Sequence, residues 1–484
     1  MTSTKQDFND KRVLVLGAGK EGIATIDFLY SNYPNARLHI ADKKELTLNV
    51  SGVQTLCGNK YPTSLSEFDV IVVSPGIPPR DSLLQTATNI TTATNIFFEH
   101  VKGTVVGVTG SKGKSTTSAL IHAMLDQAGK NTFLVGNIGN PALAELQNHN
   151  NESDIFVFEL SSYQIRLLER GPSISVITTL FPDHIDYHGS VEQYYADKLH
   201  IVDVLSDKQT LIYNGENKEL ASRISRKGKT TMAWPEAADA HIEEDALFIG
   251  SECILPLSAV PLLGTHNLSN ILGAITTASY MGVEANSIAE AIMNFTALPH
   301  RLQLVGVHNN ITFYNDSLST TPESTIAAIQ SLESIGTLFL GGQDRGYNFS
   351  ALAALIAEKK IPNIVLFPDS GETMLTEIKK TGHIPHTLAT SSMKEAVQFA
   401  YANSPSGSTC LLSCASPSFS IFRDYKDRGD QFIEAVEELA SKGKKSEIIH
   451  PWEIQHSIYL QAICVQQMIR LVIQMHLHKI MLHL

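Results

Sequence analysis

The stretch Gly107-Val108-Thr109-Gly110-Ser111-Lys112-Gly113-Lys114-Ser115-Thr116-Thr117 constrains this chain more than any other. It follows a strand-like run, Thr104 to Val108, and precedes an amphipathic run from Ser115 to Ala128. Strand, small-residue loop and helix form the context in which backbone N–H groups close around phosphate oxygens. The helix N-terminus adds partial positive charge at the same point. Thr109, Gly110, Ser111, Lys112, Gly113, Lys114, Ser115 and Thr116 are therefore candidate phosphate-binding residues. In such a loop Lys114 reaches the terminal phosphates and the Ser115 hydroxyl ligates Mg²⁺. Val108 stands where the commoner pattern has its first glycine, so the motif is best written T-G-x-x-G-K-S-T.

Strand and helix patterns alternate along the chain, which predicts parallel sheets in an α/β fold. Arg12 to Leu16, Leu38 to Asp42 and Val70 to Val73 read as strands of a first unit, with a helix from Ile23 to Tyr30. The turn Gly17-Ala18-Gly19-Lys20-Glu21-Gly22 lies between strand and helix, and Asp42 follows about 20 residues on. That pattern suits NAD, another nucleotide diphosphate at a sheet edge, or a tight turn with no ligand. Ile155 to Phe158 and Ser175 to Thr178 read as strands of a second unit. Thr337 to Leu340, Ile364 to Phe367 and Thr409 to Leu412 do so for a third. The length of 484 residues suits about three domains.

A net charge of −12 argues against a nucleic-acid surface, which needs a basic footprint. Five scattered cysteines fit a reducing compartment, and Cys410 and Cys414 read as buried thiols, since no second pair stands at zinc spacing. Met1 to Asp10 shows no secretory pattern, and no run is apolar enough to span a membrane. From His450-Pro451-Trp452 onward the composition changes to His, Gln, Ile, Met and Leu. An accessory helix or an extension without function are the two readings of that tail.

Carboxylate and imidazole groups gather after the phosphate loop. Glu159 ends a strand, and the carboxyl end of a sheet strand faces the ligand crevice, so Glu159 could hold Mg²⁺ opposite Ser115. Phe181-Pro182-Asp183-His184-Ile185-Asp186-Tyr187-His188 carries too many ionisable groups for a plain turn. His184 there suits a second Mg²⁺ beside a transferring phosphoryl group. Lys198 lies in a helical stretch and by composition alone is a surface lysine.

In order and spacing, seven motifs resemble the Mur ligases. They are the T-G-x-x-G-K-S-T loop, Glu159-Leu160-Ser161-Ser162-Tyr163-Gln164, Asp183-His184, Lys198, Gly264-Thr265-His266-Asn267 through Asn270, Leu298-Pro299-His300-Arg301 and Asn315-Asp316-Ser317. The resemblance covers about residues 10–440. It implies three α/β domains. Residues 1–98 would be a Rossmann-like domain for a UDP-linked substrate, 99–299 a central P-loop ATPase-type domain, and 300–446 a Rossmann-like glutamate-binding domain, followed by the 447–484 tail. The implied activity is that of a cytoplasmic, monomeric ligase that uses ATP and two Mg²⁺ ions. Its substrates would be UDP-N-acetylmuramoyl-L-alanine and glutamate, with no nucleic-acid or membrane partner.

The resemblance also implies roles for single residues. Lys114, Glu159, His184 and Lys198 would be catalytic, with Ser115, Glu159, His184 and a carbamylated Lys198 on the metal. Asn270, Arg301 and Asp316 would contact ATP. Gly17, Ala18, Gly19, Lys20, Asp42, Asn137, Ser161 and Gln164 would hold the UDP substrate. Thr320, Arg345, Ser418 and Tyr425 would contact glutamate. In the third domain the chain departs from the family's D-S-K-A-T-N, reading Asp316-Ser317-Leu318-Ser319-Thr320-Thr321, and Arg345 falls where a lysine is usual. An arginine still pairs with a carboxylate through two parallel hydrogen bonds, so an acidic amino acid remains the expectation. D-glutamate is the default isomer and L-glutamate the alternative. Folylpolyglutamate synthase shares the loop but lacks the first domain. A nicotinamide oxidoreductase would leave the loop at Lys114 unexplained, and a silent scaffold would not keep Lys114, Glu159, His184 and Lys198.

Overall fold

The structure, a computed structural model, describes residues 6–45, 52–87, 89–224, 230–235 and 240–442. The tail at 447–484 lies outside the described residues. The chain divides into two compact units, Met1–Pro256 with Leu268–Ile292, and Leu257–Asn267 with Met293–Leu484.

The first unit holds two parallel sheets. One has five strands in the order Gln54–Cys57, Arg37–Asp42, Arg12–Leu16, Val70–Val73 and Ile90–Thr91. This is the doubly wound order in which the first strand is central and its carboxyl end opens onto a ligand crevice. The helix after it runs Lys20–Asn32 and starts three residues before the expected Ile23, because Gly19 ends the turn and already acts as its N-cap. Gly22 packs so tightly that a Cβ there would strike the Gly17 carbonyl oxygen.

The other sheet has six strands in the order Thr230–Trp234, Thr210–Asn214, Ile174–Ile177, Thr104–Thr109, Ile155–Glu159 and Thr132–Gly136. Its register sets Val108 opposite Glu159 and Thr109 opposite Ile177, so three central strands end together. Helix Lys114–Gln127 leaves that edge and buries Thr117, Leu120, Ile121 and Met124, the i, i+3, i+4 and i+7 stripe of a core-facing helix. Helix Val191–Asp203 opens on Ser190, whose hydroxyl accepts the Gln193 N–H at 3.1 Å.

A three-stranded antiparallel sheet, Ala240–Glu243, Ala246–Ile249 and Glu252–Pro256, follows. Its first turn is Glu244-Asp245, both with positive φ, the two-residue geometry that matches strand twist.

The second unit carries a six-stranded sheet in the order Gln303–His308, Ile311–Asn315, Thr409–Leu412, Ile335–Gly342, Asn363–Asp369 and His386–Ala389. Only its first pair is antiparallel, joined through Asn309-Asn310, again both at positive φ. The α/β organisation expected from the alternating patterns is thus present, in three wholly or mainly parallel sheets. Cys410 and Cys414 are buried free thiols, and burial pushes both thiol pKa values up. No helix among the described residues is long and apolar enough to cross a membrane.

One apolar cluster runs through both parallel sheets of the first unit, from Val13 and Val15 to Phe156 and Leu211. Helix Ala93–His100 supplies its centre. Phe97 is fully buried, and its ring meets those of Phe156 and Phe158 edge-on at 5.3 and 5.2 Å. Phe97→Ala is expected to cost about 3–5 kcal/mol in urea denaturation. A cost under about 1 kcal/mol would show that the cavity collapses and the ring contacts do not hold the sheets.

Candidate active site

The site in the first unit is built on the loop from Thr109 to Lys114. Gly113 adopts φ +86° and caps helix Lys114–Gln127, and a Cβ there would collide with the Asn270 side-chain oxygen. The end of strand Ile174–Ile177 pins the loop from below. Ser111 N–H donates to the Thr179 carbonyl at 2.7 Å, and Lys112 N–H to Thr179 Oγ1 at 2.9 Å. Ser111 Oγ donates to the Phe181 carbonyl at 2.9 Å and lies 2.8 Å from the Tyr194 hydroxyl.

Two lysines converge on one oxygen. Lys114 Nζ donates to the Gly110 carbonyl at 2.7 Å and to the Ser111 carbonyl at 3.1 Å. Lys198 Nζ donates to the same Gly110 carbonyl at 2.9 Å. Lys198 is 1% exposed, so composition misleads about it. Its pKa falls well below the ordinary lysine value, first through burial and then through the charge on Lys114, against the pull of Asp183 and Glu159. His184 is held below the usual imidazole pKa by burial, then by Lys114, Lys198 and His188, with Asp183 opposing. It is therefore a neutral ring at pH 7, the state a metal ligand needs.

Glu159 is 1% exposed and its Oε1 accepts from Asn137 Nδ2 at 3.1 Å. Its Oε2 is buried with no hydrogen-bond partner, and so are Thr109 Oγ1 and Thr116 Oγ1. Buried polar atoms left unpaired are costly, and such atoms grouped at a phosphate loop mark where a ligand belongs. An unpaired buried carboxylate oxygen on the strand next to the phosphate loop fits a divalent cation bound together with phosphates. No group of three or more His, Cys, Asp or Glu among the described residues suffices for a metal alone.

In the five-stranded sheet, Asp42 Oδ2 accepts from the Ala18 N–H at 2.9 Å and Oδ1 from the Lys44 N–H at 2.9 Å. Burial pushes this carboxyl up, but the two backbone donors outweigh it and hold the pKa below the usual range. Asp42 thus braces the glycine turn, while Gly19 and Lys20 stay exposed. Ser161 and Gln164 form a capping box at helix Ser162–Ile165. Gln164 Nε2 also donates to Glu21 Oε1 at 3.4 Å, which joins that helix to the glycine turn.

Ser115 is half-buried in the first turn of helix Lys114–Gln127, and the remaining expected residues belong to the second unit. Asp316 is buried and accepts from the Leu302 N–H at 3.1 Å and from Ser413 Oγ at 2.8 Å. Burial pushes its carboxyl up to about 6, against Ser319, Ser413, Leu302 and Arg301, which lower it. Arg345 is exposed, with Nε donating to Gln343 Oε1 at 3.0 Å. Thr320 is half-buried and Ser418 buried, and the Tyr425 carbonyl accepts from Ser317 Oγ at 2.8 Å.

The residue that ties these segments together, Arg428, was not singled out from sequence. It is fully buried, and its three nitrogens donate to Ser317 Oγ, the Ser317 carbonyl and the Ser416 carbonyl at 2.8–3.1 Å. The available signal was an arginine followed by glycine on an otherwise amphipathic last helix.

Residues 11–94 match the MurD-like N-terminal domain of Mur ligases, 108–278 the Mur ligase middle domain, and 300–416 the Mur ligase glutamate ligase domain. The chain is 32% identical over 449 residues to a UDP-N-acetylmuramoylalanine–D-glutamate ligase of Exiguobacterium sibiricum, covering 90% of this chain and 99% of that one. The chain belongs to the Mur ligase family. It is also 31% identical over 453 residues to a UDP-N-acetylmuramoyl-L-alanine–L-glutamate ligase of Salinispora tropica, covering 90% and 99%. Two solved Mur ligases share its fold. MurC of Thermotoga maritima has a TM-score of 0.59 at 17% identity, covering 89% of this chain and 100% of that one. MurF of the same organism, in complex with ADP, has a TM-score of 0.56 at 14% identity, covering 91% and 97%. A Mur ligase is an ATP-using ligase, so hydride transfer at the first glycine turn is set aside.

Asp316 makes stability depend on pH. Its native pKa lies above the unfolded value, so between about pH 4 and pH 6 the folded state keeps a proton that the unfolded chain has lost. Stability therefore falls as pH rises through that window, by on the order of 2–3 kcal/mol. Asp316→Asn is expected to flatten this slope and to stabilise the second unit above pH 6. Urea titrations at several pH values check it, and parallel slopes for the two proteins would contradict it.

Proposed function

We propose that this chain joins glutamate, as the D isomer, to the L-alanine carboxylate of UDP-N-acetylmuramoyl-L-alanine at the expense of ATP, in peptidoglycan precursor synthesis. The observation that carries the reading is the meeting of Lys114 and Lys198 at the Gly110 carbonyl beside the unpaired Glu159 oxygen. The full-length likeness to ligases named for this reaction supports it. The reading places the domains at 1–98, 99–299 and 300–446, and the enzyme in the cytoplasm as a monomer with no nucleic-acid or membrane partner.

In this reading Thr109 to Thr116 cradle the triphosphate, with Asn270, Arg301 and Asp316 on the rest of ATP. Gly17, Ala18, Gly19, Lys20, Asp42, Asn137, Ser161 and Gln164 hold the UDP-linked substrate. Thr320, Arg345, Ser418 and Tyr425 hold glutamate. Ser115, Glu159, His184 and a carbamylated Lys198 would hold two Mg²⁺ ions, which when bound neutralise charge on the transferring phosphoryl group. The neutral Lys198 amine is the form that adds CO₂. Its nitrogen bonds the carbon, a proton leaves, and a buried amine becomes a carboxylate-like ligand.

The alanine carboxylate attacks the γ-phosphorus of ATP, the bond to the β-phosphate oxygen breaks, and an acyl phosphate and ADP form. Lys114 moves from the loop carbonyls to the phosphate oxygens, a stronger charge-assisted partner. Glutamate's free amine then attacks the acyl carbon, and phosphate leaves with the C–O bond electrons while one amine proton is released and ends on the phosphate. Activation is required because a carboxylate is a poor electrophile.

L-glutamate is the less favoured isomer, although Leu318 and Arg345 alter the amino-acid end of the site. Phosphate release measured with UDP-N-acetylmuramoyl-L-alanine, ATP and each isomer separately decides it. Release with D-glutamate is expected. Release with L-glutamate alone reverses the isomer, and release with neither discards the substrate. Lys114→Ala is expected to lower turnover by at least about a hundredfold, and a normal rate would remove that lysine from the chemistry.

A further inference from the structure

A buried polar chain in the first unit has no role in the reading above. Ser162 Oγ lies 3.0 Å from His188 Nε2, and His188 Nδ1 lies 2.6 Å from Asp197 Oδ2. Asp197 Oδ1 accepts from Gln193 Nε2 at 2.8 Å. Ser162, His188 and Asp197 are 3%, 5% and 8% exposed. An ionised carboxylate only accepts, so His188 donates from Nδ1 to Asp197, and its Nε2 shares a hydrogen bond with the Ser162 hydroxyl.

The ring is fixed on its other sides by aromatics. Tyr163 stacks on it at 5.4 Å and 17°, while Tyr187 and Tyr194 meet it edge-on at 4.8 and 5.3 Å. Serine, histidine and aspartate in this order suggest a nucleophile, but Ser162 is buried at the start of helix Ser162–Ile165 and offers a reacting carbonyl no approach.

What the chain joins is more informative than its composition. Ser162 stands three residues after Glu159. His188 stands four after His184, whose carbonyl accepts the His188 N–H at 3.1 Å. Asp197 directly precedes Lys198. One imidazole therefore ties together the three segments that carry Glu159, His184 and Lys198. The His184 segment needs such a tie. Helix Ile185–His188 is a single turn between left-handed His184 and left-handed Gly189, too short to hold itself. A second clamp acts at Tyr187, whose hydroxyl donates to the Pro75 and Ile77 carbonyls at 2.9 and 3.1 Å.

We propose that His188 is a positioning residue that sets the spacing of Glu159, His184 and Lys198 for the metal ions. The proposal rests on the metal reading above. Residues behind the ligands orient them, and losing such a residue costs about 10–100-fold in metal affinity.

The test uses the full chain with Mn²⁺ as the probe. Mn²⁺ bound in the presence of ADP is counted by electron paramagnetic resonance, and ADP binding is measured separately with the metal chelated. His188→Phe keeps an aromatic ring but can hydrogen-bond neither Asp197 nor Ser162. It is expected to lose about 10-fold or more in Mn²⁺ affinity. Metal-free ADP affinity and the KM for ATP should stay at wild-type values while kcat falls. Asp197→Asn, which keeps an oxygen opposite Nδ1, is expected to retain most of the Mn²⁺ affinity. Wild-type Mn²⁺ affinity in His188→Phe overturns the proposal. A parallel loss of metal-free ADP binding also overturns it, by making the ring merely structural. Should His188→Phe fail to fold, His188→Asn, with a donor left toward Asp197, is judged by the same two measurements. If the wild-type chain itself takes up no Mn²⁺ with ADP, the metal reading fails and this proposal with it. That result is distinct from a wild type that binds Mn²⁺ and a variant that binds it equally.

Discussion

The Gly110 carbonyl accepts from two lysines at once, and the first unit is arranged around that contact. Two ammonium groups that close would repel strongly in a buried setting. Burial resolves the conflict by favouring the neutral form of Lys198. Every neighbouring feature is consistent with that division. His184 is neutral, Glu159 keeps one oxygen unpaired, and the loop is held rigid from the Thr178-Thr179 side.

The amino acids themselves disclosed much of this. The strand–loop–helix context at Thr104 to Gln127 was legible because small residues and a lysine at fixed spacing have few other uses. The parallel strands were legible as short apolar runs, buried on both faces. Lys198 was half legible. Composition says surface, yet Tyr194, Lys198 and Ile201 fall on one helical stripe, and that stripe is the buried one. The antiparallel hairpins escaped notice because their turns are Glu244-Asp245 and Asn309-Asn310, where the expected signal carries glycine. Arg428 and His188 were illegible for a different reason. Their meaning lies in partners 111 and 26 residues away, which no local pattern carries.

In the second unit a guanidinium takes the place that an apolar side chain would usually fill. Arg428 donates only to serine oxygens and to carbonyls, with no carboxylate in ion-pair range among the described residues. Such a charge is tolerable only where its donors are matched geometrically, so the loops around Ser317 and Ser416 have little freedom. The changes at Leu318 and Arg345 therefore sit on a stiff frame. They change single side chains and leave the frame itself in place.

The apolar cluster that runs from Val13 to Leu211 has a consequence for how this enzyme comes apart and how it was put together. Two sheets that share one apolar cluster are coupled in unfolding, since opening either one wets the other. The five-stranded layer is then not a detachable module like a bead on a string. A lineage that wished to exchange it for one with different cargo would have to rebuild the seam around Phe97 at the same time.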